Sequence, residues 1–295
     1  MKFLTSAGIL GAILINGATS TPIIQPRTES SPALPIQTPA AAAAAAPYEY
    51  DFSSDVVPSY PIHPSCNITL RRQLSRALDE TIQLVNHAKT HLLLRGHDSP
   101  LVKKYFGSNN NTAHAIGFYS RIADANKLDV LFRCDDPDQN CATQDSWAGH
   151  WRGENATQET VICPLSFEKR RYLDQVCGMG YTVVGSPLNT YWATDLLHRI
   201  LHVPRISEGA VEHFADDYAG VLELAKTEPH KSALDSDTLQ YFAIEAYAFD
   251  VAAPGVGCTG EKESAPEATE VVTATSTASA GSSCHTHADG VLHCE

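Results

Sequence analysis

Apolar residues recur at intervals of three and four between positions 70 and 92, the spacing that places them on one face of an α-helix. The positions are Leu70, Leu74, Ala77, Leu78, Ile82, Val85, Ala88 and Leu92. Gly96 follows the last of them, and glycine commonly ends helices. The pattern therefore predicts one long amphipathic helix over residues 69–94.

The remaining pattern predicts four further helices and two short strands. The helical segments are 112–123, 190–202, 208–226 and 236–251; Pro204 stops the second, and Ser236 is the expected N-cap of the last. Apolar, largely β-branched and aromatic runs at 130–134 and 160–163 predict strands. Strands in mid-chain between groups of helices indicate an α+β fold that is mainly α-helical.

The composition changes at both ends of this patterned region. Residues 1–20 are typical of a secretory signal peptide: Lys2, an apolar run and small residues at 18–20. That run is shorter than the ~20 residues of a membrane-spanning helix. Residues 21–60 are rich in Pro, Ala, Ser and Thr, and residues 259–283 in Ser, Thr, Ala and Glu. We predict a disordered leader (21–60), one domain (61–258), a disordered tether (259–283) and a separate tail (284–295).

Cysteine content and charge indicate an extracellular protein. The chain has eight cysteines, an even number that suits disulfides in an oxidising compartment. Six lie in the domain, and six cysteines allow fifteen pairings, among which the sequence does not choose. Sequons at Asn67, Asn110 and Asn155 predict glycosylation at surface positions. A formal net charge of −13 argues against nucleic acid or anionic lipid as partners, whereas it suits a cation.

The tail concentrates metal-binding side chains. His285, His287 and His293 stand between Cys284 and Cys294. An intervening Asp-Gly pair favours a turn that brings the histidines together. Imidazole nitrogen is a common ligand of zinc, so we predict a Zn²⁺ site here. Local closure by a Cys284–Cys294 disulfide is the shortest loop; two thiolates binding zinc are the alternative.

A second candidate site lies on the predicted helix 190–202. His198 and His202 are four residues apart and share one helical face, as in zinc metallopeptidases. Those enzymes carry a glutamate general base directly after the first histidine, whereas this chain carries Arg199. A guanidinium cannot act as a base near neutral pH. The motif thus keeps the metal ligands and lacks the usual catalytic group.

A third protein ligand is expected from the next segment. His213 is the favoured residue, with Glu212 as the alternative, because the two would point about 100° apart on a helix. Asp216 and Asp217 lie three and four residues beyond His213. Either could accept the other imidazole N–H and fix the tautomer.

These motifs together resemble the fungal HRxxH family of secreted zinc-binding proteins. The resemblance covers about 61–295 without the tether and rests on His198-Arg199-Ile200-Leu201-His202, the run 241–248 and the terminal Cys/His segment. Segment 161–164 is also similar to deuterolysin zinc endopeptidases. The resemblance implies a zincin-like domain that captures extracellular zinc and delivers it to a plasma-membrane zinc transporter. It also implies binding of host complement regulators or plasminogen, and localisation outside the cell or at its surface.

Three hypotheses follow. The first is a zinc scavenger with a buried histidine site and a tail site. The second is a zinc endopeptidase that uses another base, Glu212 or Glu245, through a water molecule. The third is an adhesin or immune-evasion protein whose metal sites are structural.

Overall fold

The computed structural model describes residues 56–108 and 111–260, and the backbone of 284–286 and 292–294. The helices are α1 (Ile68–Arg95), α2 (Pro100–Phe106), α3 (Ala113–Asp124), α4 (Asn140–Thr143), α5 (Pro164–Lys169), α6 (Trp192–Leu201), α7 (Pro204–Ser207), α8 (Tyr218–Thr227), α9 (Pro229–Ser232) and α10 (Ser236–Tyr247). The strands are β1 (Leu131–Arg133), β2 (Gly149–Trp151), β3 (Glu159–Ile162), β4 (Cys284–Thr286) and β5 (Leu292–Cys294). Four 3₁₀ turns (Gly96–Asp98, Gly153–Asn155, Leu173–Gln175, Leu188–Thr190) and a π-helix (Ala248–Ala252) complete the described elements. The mainly helical α+β fold predicted from the sequence is confirmed.

Helix α1 begins and ends where its sequence provides partners for the unpaired backbone groups. Asn67 is the N-cap, and its Oδ1 accepts the N–H groups of Thr69 and Leu70 at 2.9 and 3.0 Å. Gly96 follows the helix with φ of +46°, and its N–H donates to the carbonyl of Leu92. The apolar stripe is buried against α3, α6 and α10. The prediction of this helix is correct to within one residue at each end.

Helix α10 lies at the centre of the core, since all twelve of its residues are buried. It contacts α1, α2, α6 and α8. Several of its buried residues are polar, namely Ser236, Asp237, Thr238, Gln240 and Glu245. Buried polar groups destabilise a fold unless they are hydrogen-bonded, so this helix demands partners from the elements around it.

A small three-stranded sheet, in the order β1-β3-β2, packs beside the helices. Strand β1 is parallel to β3, with Phe132 opposite Thr160, and β2 is antiparallel to β3, with His150 opposite Val161. Strands β1 and β3 match the predicted runs to within a residue or two, whereas β2 was not predicted. Its core sequence, Gly-His-Trp, has no alternation long enough to reveal a strand.

The predicted helix 208–226 is wrong over its first half. Glu208 and Gly209 both have positive φ, so the backbone leaves the helical region directly after α7. Helix α8 starts at Tyr218, where Asp217 is the N-cap and its Oδ1 accepts the Gly220 N–H. The N-cap of α10 is Asp235 rather than Ser236, because its carboxylate accepts the Thr238 N–H at 2.8 Å.

Three disulfides connect the described cysteines: Cys66–Cys134, Cys141–Cys163 and Cys177–Cys258. The structure thereby selects one of the fifteen pairings. The bond from Cys177 reaches the end of the domain, so residues 177–258 form a closed loop that contains α6 to α10. Disulfides of this kind are typical of proteins that leave the cytoplasm.

Residues just before position 61, where the domain is predicted to begin, already make contacts with it. Tyr60 is buried and donates its hydroxyl proton to the carbonyl of Ile122, and the carbonyl of Val57 accepts the Lys127 N–H. Asn67 and Asn155 are exposed, as glycosylation requires. The signal peptide, most of the leader, Asn110 and the tether lie outside the described residues. Within the described part of the chain, no helix combines the length and apolarity needed to cross a bilayer.

In the tail, the register of β4 and β5 places Cys284 opposite Cys294 and His285 opposite His293. The antiparallel pairing agrees with the predicted hairpin. His287 lies outside the described residues, and the ligand and disulfide roles of the tail side chains stay predictions.

The first prediction concerns acid stability. Burial lowers the pKa of His150. The hydrogen bond to Asp138 offsets part of this decrease, and the positive charge of Arg199 adds to it. The pKa of His150 in the folded state lies below its unfolded value of ~6.5. The contribution of neutral His150 to stability is therefore present above pH ~6.5 and is lost as the pH falls from there through the folded-state pKa. We expect His150→Gln to reduce the loss of melting temperature between about pH 7.5 and 5. Thermal denaturation followed by circular dichroism gives the melting temperature at each pH. His230→Gln, at an exposed position, is the control and should keep the wild-type dependence of melting temperature on pH. The same pH dependence in all three proteins would contradict the role of His150.

Candidate metal centre

Helix α6 supplies two of the predicted ligands. All ten residues of the helix are buried, His198 among them, and His202 follows directly as the C-cap. Because the two histidines are four positions apart, their rings lie on one face, with centroids 4.7 Å apart. The packing of α6 against α1 and α10 holds this face inside the domain.

The third histidine comes from an irregular segment rather than from a helix. Glu212, directly before His213, is fixed to the start of α10 by two backbone hydrogen bonds. Its N–H donates to the Leu234 carbonyl, and its carbonyl accepts the Ser236 N–H. The buried carboxylate of Asp235 also accepts the N–H groups of Phe214 and Ala215, at 2.8 and 3.0 Å.

Burial raises the pKa of Asp235, although four hydrogen bonds from Thr238, Phe214 and Ala215 act to lower it. The same carboxylate thus caps α10 and fixes the backbone on the C-terminal side of His213. In this way the His213 side chain acquires a defined position, although its segment has no regular secondary structure.

The structure brings His198, His202 and His213 together. Nε2 of His202 and Nε2 of His213 are 3.1 Å apart, and the candidate ligand atoms of all three lie within 4.8 Å of one another. Two nitrogen ligands of tetrahedral zinc, each at ~2.0–2.1 Å from the metal, are separated by roughly 3.3 Å. The pair from His202 and His213 is already close to that spacing, so the arrangement fits a zinc ion with small movements of the rings.

The tautomer of His198 depends on α10. Its Nδ1 lies 3.1 Å from Ser236 Oγ and 3.0 Å from the Gln240 side-chain amide. If the amide oxygen faces this nitrogen, Nδ1 carries the proton and Nε2 becomes the nitrogen that can bind a metal. That orientation provides a partner for Gln240 Oε1, which otherwise is buried without one, and removes the hydrogen bond that the amide nitrogen donates to the Ser236 carbonyl at 3.2 Å. The tautomer of His198 is therefore set by which end of the Gln240 amide faces it.

The carboxylate found beside His213 is Asp237, on the first turn of α10. Its Oδ1 lies 3.8 Å from Nδ1 of His213, and both side chains are buried. Asp216 and Asp217, the predicted supporting residues, are exposed, and Asp217 Oδ1 caps α8. The prediction assumed a helix through residues 208–226, and without that helix the i+3 and i+4 relation has no structural meaning.

The two glutamates considered as alternatives are placed differently. Glu212 is exposed and does not belong to the histidine group. Glu245 is buried and already accepts hydrogen bonds from Lys104 Nζ at 2.6 Å and Thr259 Oγ1 at 2.7 Å, as well as from the Tyr105 hydroxyl. A carboxylate that is saturated in this way is not placed to take a proton from a metal-bound water.

Arg199 has a structural role. Its Nη2 and Nε donate to the two oxygens of Asp195 at 2.9 and 3.1 Å, and Arg170 donates to the same carboxylate at 3.0 Å. The Arg199 guanidinium lies against the backbone of β2. A Cβ atom added at Gly149 would be only 2.9 Å from Cζ of Arg199. The residue in the position of the catalytic glutamate is thus engaged in a buried ion pair between α6, α5 and the sheet.

Two other groups of candidate ligands occur in the described part of the chain. One contains His150 with Cys141 and Cys163, but these cysteines form a disulfide and are not thiolate ligands. The other contains His87, His91 and Asp250. This second group was not predicted from the sequence, because Asp250 is 159 residues away from His91 in the chain. The histidine pair itself was visible, since His87 and His91 are four residues apart on the predicted first helix.

The second prediction tests Gln240 as the residue that positions His198. Gln240→Met retains the side-chain volume and removes the hydrogen bond, so we expect zinc affinity of the three-histidine site to fall by about 10–100-fold. Gln240→Glu keeps an oxygen acceptor and should bind zinc more tightly than the methionine variant. Competition with a chromogenic chelator, on chains that end at Ser283, gives the zinc affinities. Equal affinity for Gln240→Met and the unsubstituted chain would show that Gln240 does not position His198.

The third prediction concerns Arg199. Arg199→Glu would place a second carboxylate beside buried Asp195, and breaking a buried ion pair costs about 3–5 kcal/mol of unfolding free energy. Arg199→Lys keeps the charge and loses the paired donors, so its loss should be smaller. Denaturant unfolding gives both values. If Arg199→Glu is as stable as the unsubstituted protein, the ion pair does not hold α6 in place.

Comparison with known proteins places the chain among fungal proteins. It is 45% identical to the major allergen Asp f 2 of Aspergillus fumigatus over 310 aligned positions, which cover 96% of this chain and 99% of that protein. It is also 45% identical to the pH-regulated antigen PRA1 of Candida albicans over 217 positions, covering 74% and 72% of the two chains. A zinc peptidase from Grifola frondosa is similar in structure, with a TM-score of 0.46 and 17% identity, over 62% of this chain and 99% of that one. The family model described as "HRXXH: Putative peptidase family" matches residues 16–261, and the chain belongs to this family.

Proposed function

We propose that the protein is a secreted zinc-binding protein, a zincophore that captures zinc ions outside the cell and delivers them to a zinc transporter of the plasma membrane. The observation that carries the proposal is the meeting of three imidazoles at a partly buried position. The neighbouring residue, where a zinc peptidase has its glutamate, is an arginine paired with an aspartate.

The chemistry of the ligands supports zinc as the ion. Three imidazoles are a common zinc set, and they leave one tetrahedral position open to water or to a ligand from the receiving protein. An all-nitrogen site also binds Cu²⁺, and the general affinity order places copper above zinc. Geometry and metal availability must therefore decide in favour of zinc.

The acidic composition and the tail support capture. A net charge of −13 raises the local concentration of cations near the protein. The tail supplies three more histidines, and the β4–β5 register brings His285 opposite His293. Two histidine sites that are separate in sequence suit a protein that first collects an ion and then holds it.

Imidazole ligands make capture dependent on pH. Each histidine must lose its proton to bind zinc, and unperturbed imidazole titrates near pH ~6.5. Zinc should load at neutral or alkaline pH and leave in acid.

A peptidase is the competing function, and the Arg199 and Glu245 contacts weigh against it. General-base assistance contributes about 10²–10⁴-fold to hydrolysis. Binding of host complement regulators or plasminogen, which the family resemblance implies, would use the exposed surface and is compatible with zinc capture.

The fourth prediction tests the proposal by counting zinc. Truncation after Ser283 should remove one zinc ion per chain, and His213→Ala should remove another, while Glu212→Ala should retain the full number. Bound zinc should fall steeply below about pH 6.5 for both sites. Equilibrium dialysis with elemental analysis gives the stoichiometry. Zinc-dependent cleavage of peptides by the unsubstituted protein, abolished by His198→Ala, would replace the proposal with a peptidase.

A further inference from the structure

A second pair of histidines four residues apart lies on α1, remote in sequence from the motif on α6. Nε2 of His87 and Nδ1 of His91 both approach Oδ2 of Asp250, at 3.0 and 2.6 Å. His91 is buried, and the side chains of His87 and Asp250 are each 22% exposed. Two imidazoles thus converge on one carboxylate oxygen at the edge of the core.

The spacing of these atoms is close to that of a metal site. The candidate ligand atoms of the three residues lie within 4.8 Å of one another. Zinc bonds of ~2.0–2.2 Å to nitrogen and oxygen separate tetrahedral ligands by roughly 3.3 Å. The two nitrogen–oxygen distances, now 3.0 and 2.6 Å, need to open by about 0.3 and 0.7 Å, which side-chain rotation provides. A metal ion would replace the protons that now bridge these atoms.

The remaining nitrogen of His91 is already held. Nε2 lies 2.7 Å from Ser99 Oγ, and this oxygen also accepts the Val102 N–H as the N-cap of α2. When a metal ion replaces the Nδ1 proton, Nε2 would carry the proton of the ring and donate it to Ser99 Oγ, which leaves the Nδ1 lone pair for the metal. This arrangement, in which the far nitrogen of a histidine is fixed by a hydrogen bond, is the usual one for histidines that bind metals.

The backbone that carries Asp250 is unusual. Helix α10 ends at Tyr247 and continues as the π-helix Ala248–Ala252, with the Ala253 N–H donating to the Ala248 carbonyl at 2.9 Å. Single π-turns are rare and occur frequently at functional sites, because the extra residue redirects a side chain. Next to Asp250 lies a cavity of about 280 Å³ that His91, Ser99 and Phe249 help to line, so water and ions can reach the cluster.

We propose that His87, His91 and Asp250 form a further site for a divalent transition metal, with zinc as the expected ion and water from the adjacent cavity as the fourth ligand. Two imidazoles and one carboxylate are a ligand set that such metals accept readily. The site uses none of the residues of the three-histidine centre or of the tail. It would exist even if those regions bound no zinc.

The fifth prediction is tested by chemical protection on the full chain. Diethyl pyrocarbonate acylates histidines that are accessible and neutral, and a bound metal blocks the reaction. Trypsin separates the residues of interest, since peptide 77–89 contains His87 alone, peptide 90–95 contains His91 alone and peptide 206–226 contains His213 alone. We expect zinc to slow acylation of peptide 77–89 several-fold, with peptide 227–231, which carries exposed His230, unaffected.

The Asp250→Asn variant distinguishes a metal site from a purely structural hydrogen-bond cluster. Asparagine keeps the size and hydrogen-bonding capacity of the side chain but removes the charge, so zinc protection of His87 should be lost. Asp124→Asn is the matched control. Asp124 is an exposed aspartate at the end of α3 that pairs with Lys89, which lies on the same helix as His87. This variant should keep full protection. The proposal is overturned if zinc does not protect His87 in the unsubstituted protein, or if protection persists in Asp250→Asn. Peptide 206–226 reports on the three-histidine centre separately, so failure of either site can be recognised in the same experiment.

Discussion

The carboxylate of Asp235 is the interaction on which the three-histidine centre depends. One of its oxygens caps α10, and the other accepts two N–H groups from the segment that follows His213. Together with the two backbone hydrogen bonds of Glu212, that carboxylate keeps the irregular segment between α7 and α8, and with it His213, near α6. A charged group without solvent exposure is unfavourable by itself. Here four hydrogen bonds offset that cost, and the result is a defined position for a ligand on an irregular segment.

The ion pair between Arg199 and Asp195 gives a structural reason for the arginine that follows the first histidine of α6. A glutamate after the first histidine would be tolerated only beside a metal or another cation. In this chain the residue four positions earlier is Asp195, and the strand β2 passes close enough that Gly149 is required. Asp195 also joins α6 to Arg170, directly after α5, and the guanidinium of Arg199 lies between this carboxylate and the sheet. Reversal of the charge of Arg199 would have to be accompanied by changes in at least Asp195, so an arginine at this position is built into the packing.

Local spacing was sufficient to predict the features in which residues of one kind recur at the period of an α-helix. The long helix α1 and the pair His198 and His202 follow from intervals of three and four residues. His213 was identified on an incorrect helix, and Asp237 and Gln240 were not identified, because their relation to the histidines is created by tertiary packing of α10 against α6. The positive φ of Glu208 is the detail that ended the predicted helix, and glutamate gives no sequence signal for such a conformation. The disulfide pairing was undetermined for the same reason, since it reports on contacts between distant segments.

Helix α10 connects the two histidine clusters of the domain. Its first turns provide Ser236, Asp237 and Gln240 to the pair on α6 and to His213, and the π-helix at its other end provides Asp250 to the pair on α1. Both pairs have the same spacing, and each meets polar groups from this one buried helix. Because polar residues in the core need partners, Ser236 and Gln240 of α10 bind His198, and Asp250 of the π-helix binds His87 and His91, when no metal is bound. Such clusters keep the domain folded without an ion and hold the ligand atoms close together, which reduces the ordering cost when an ion binds.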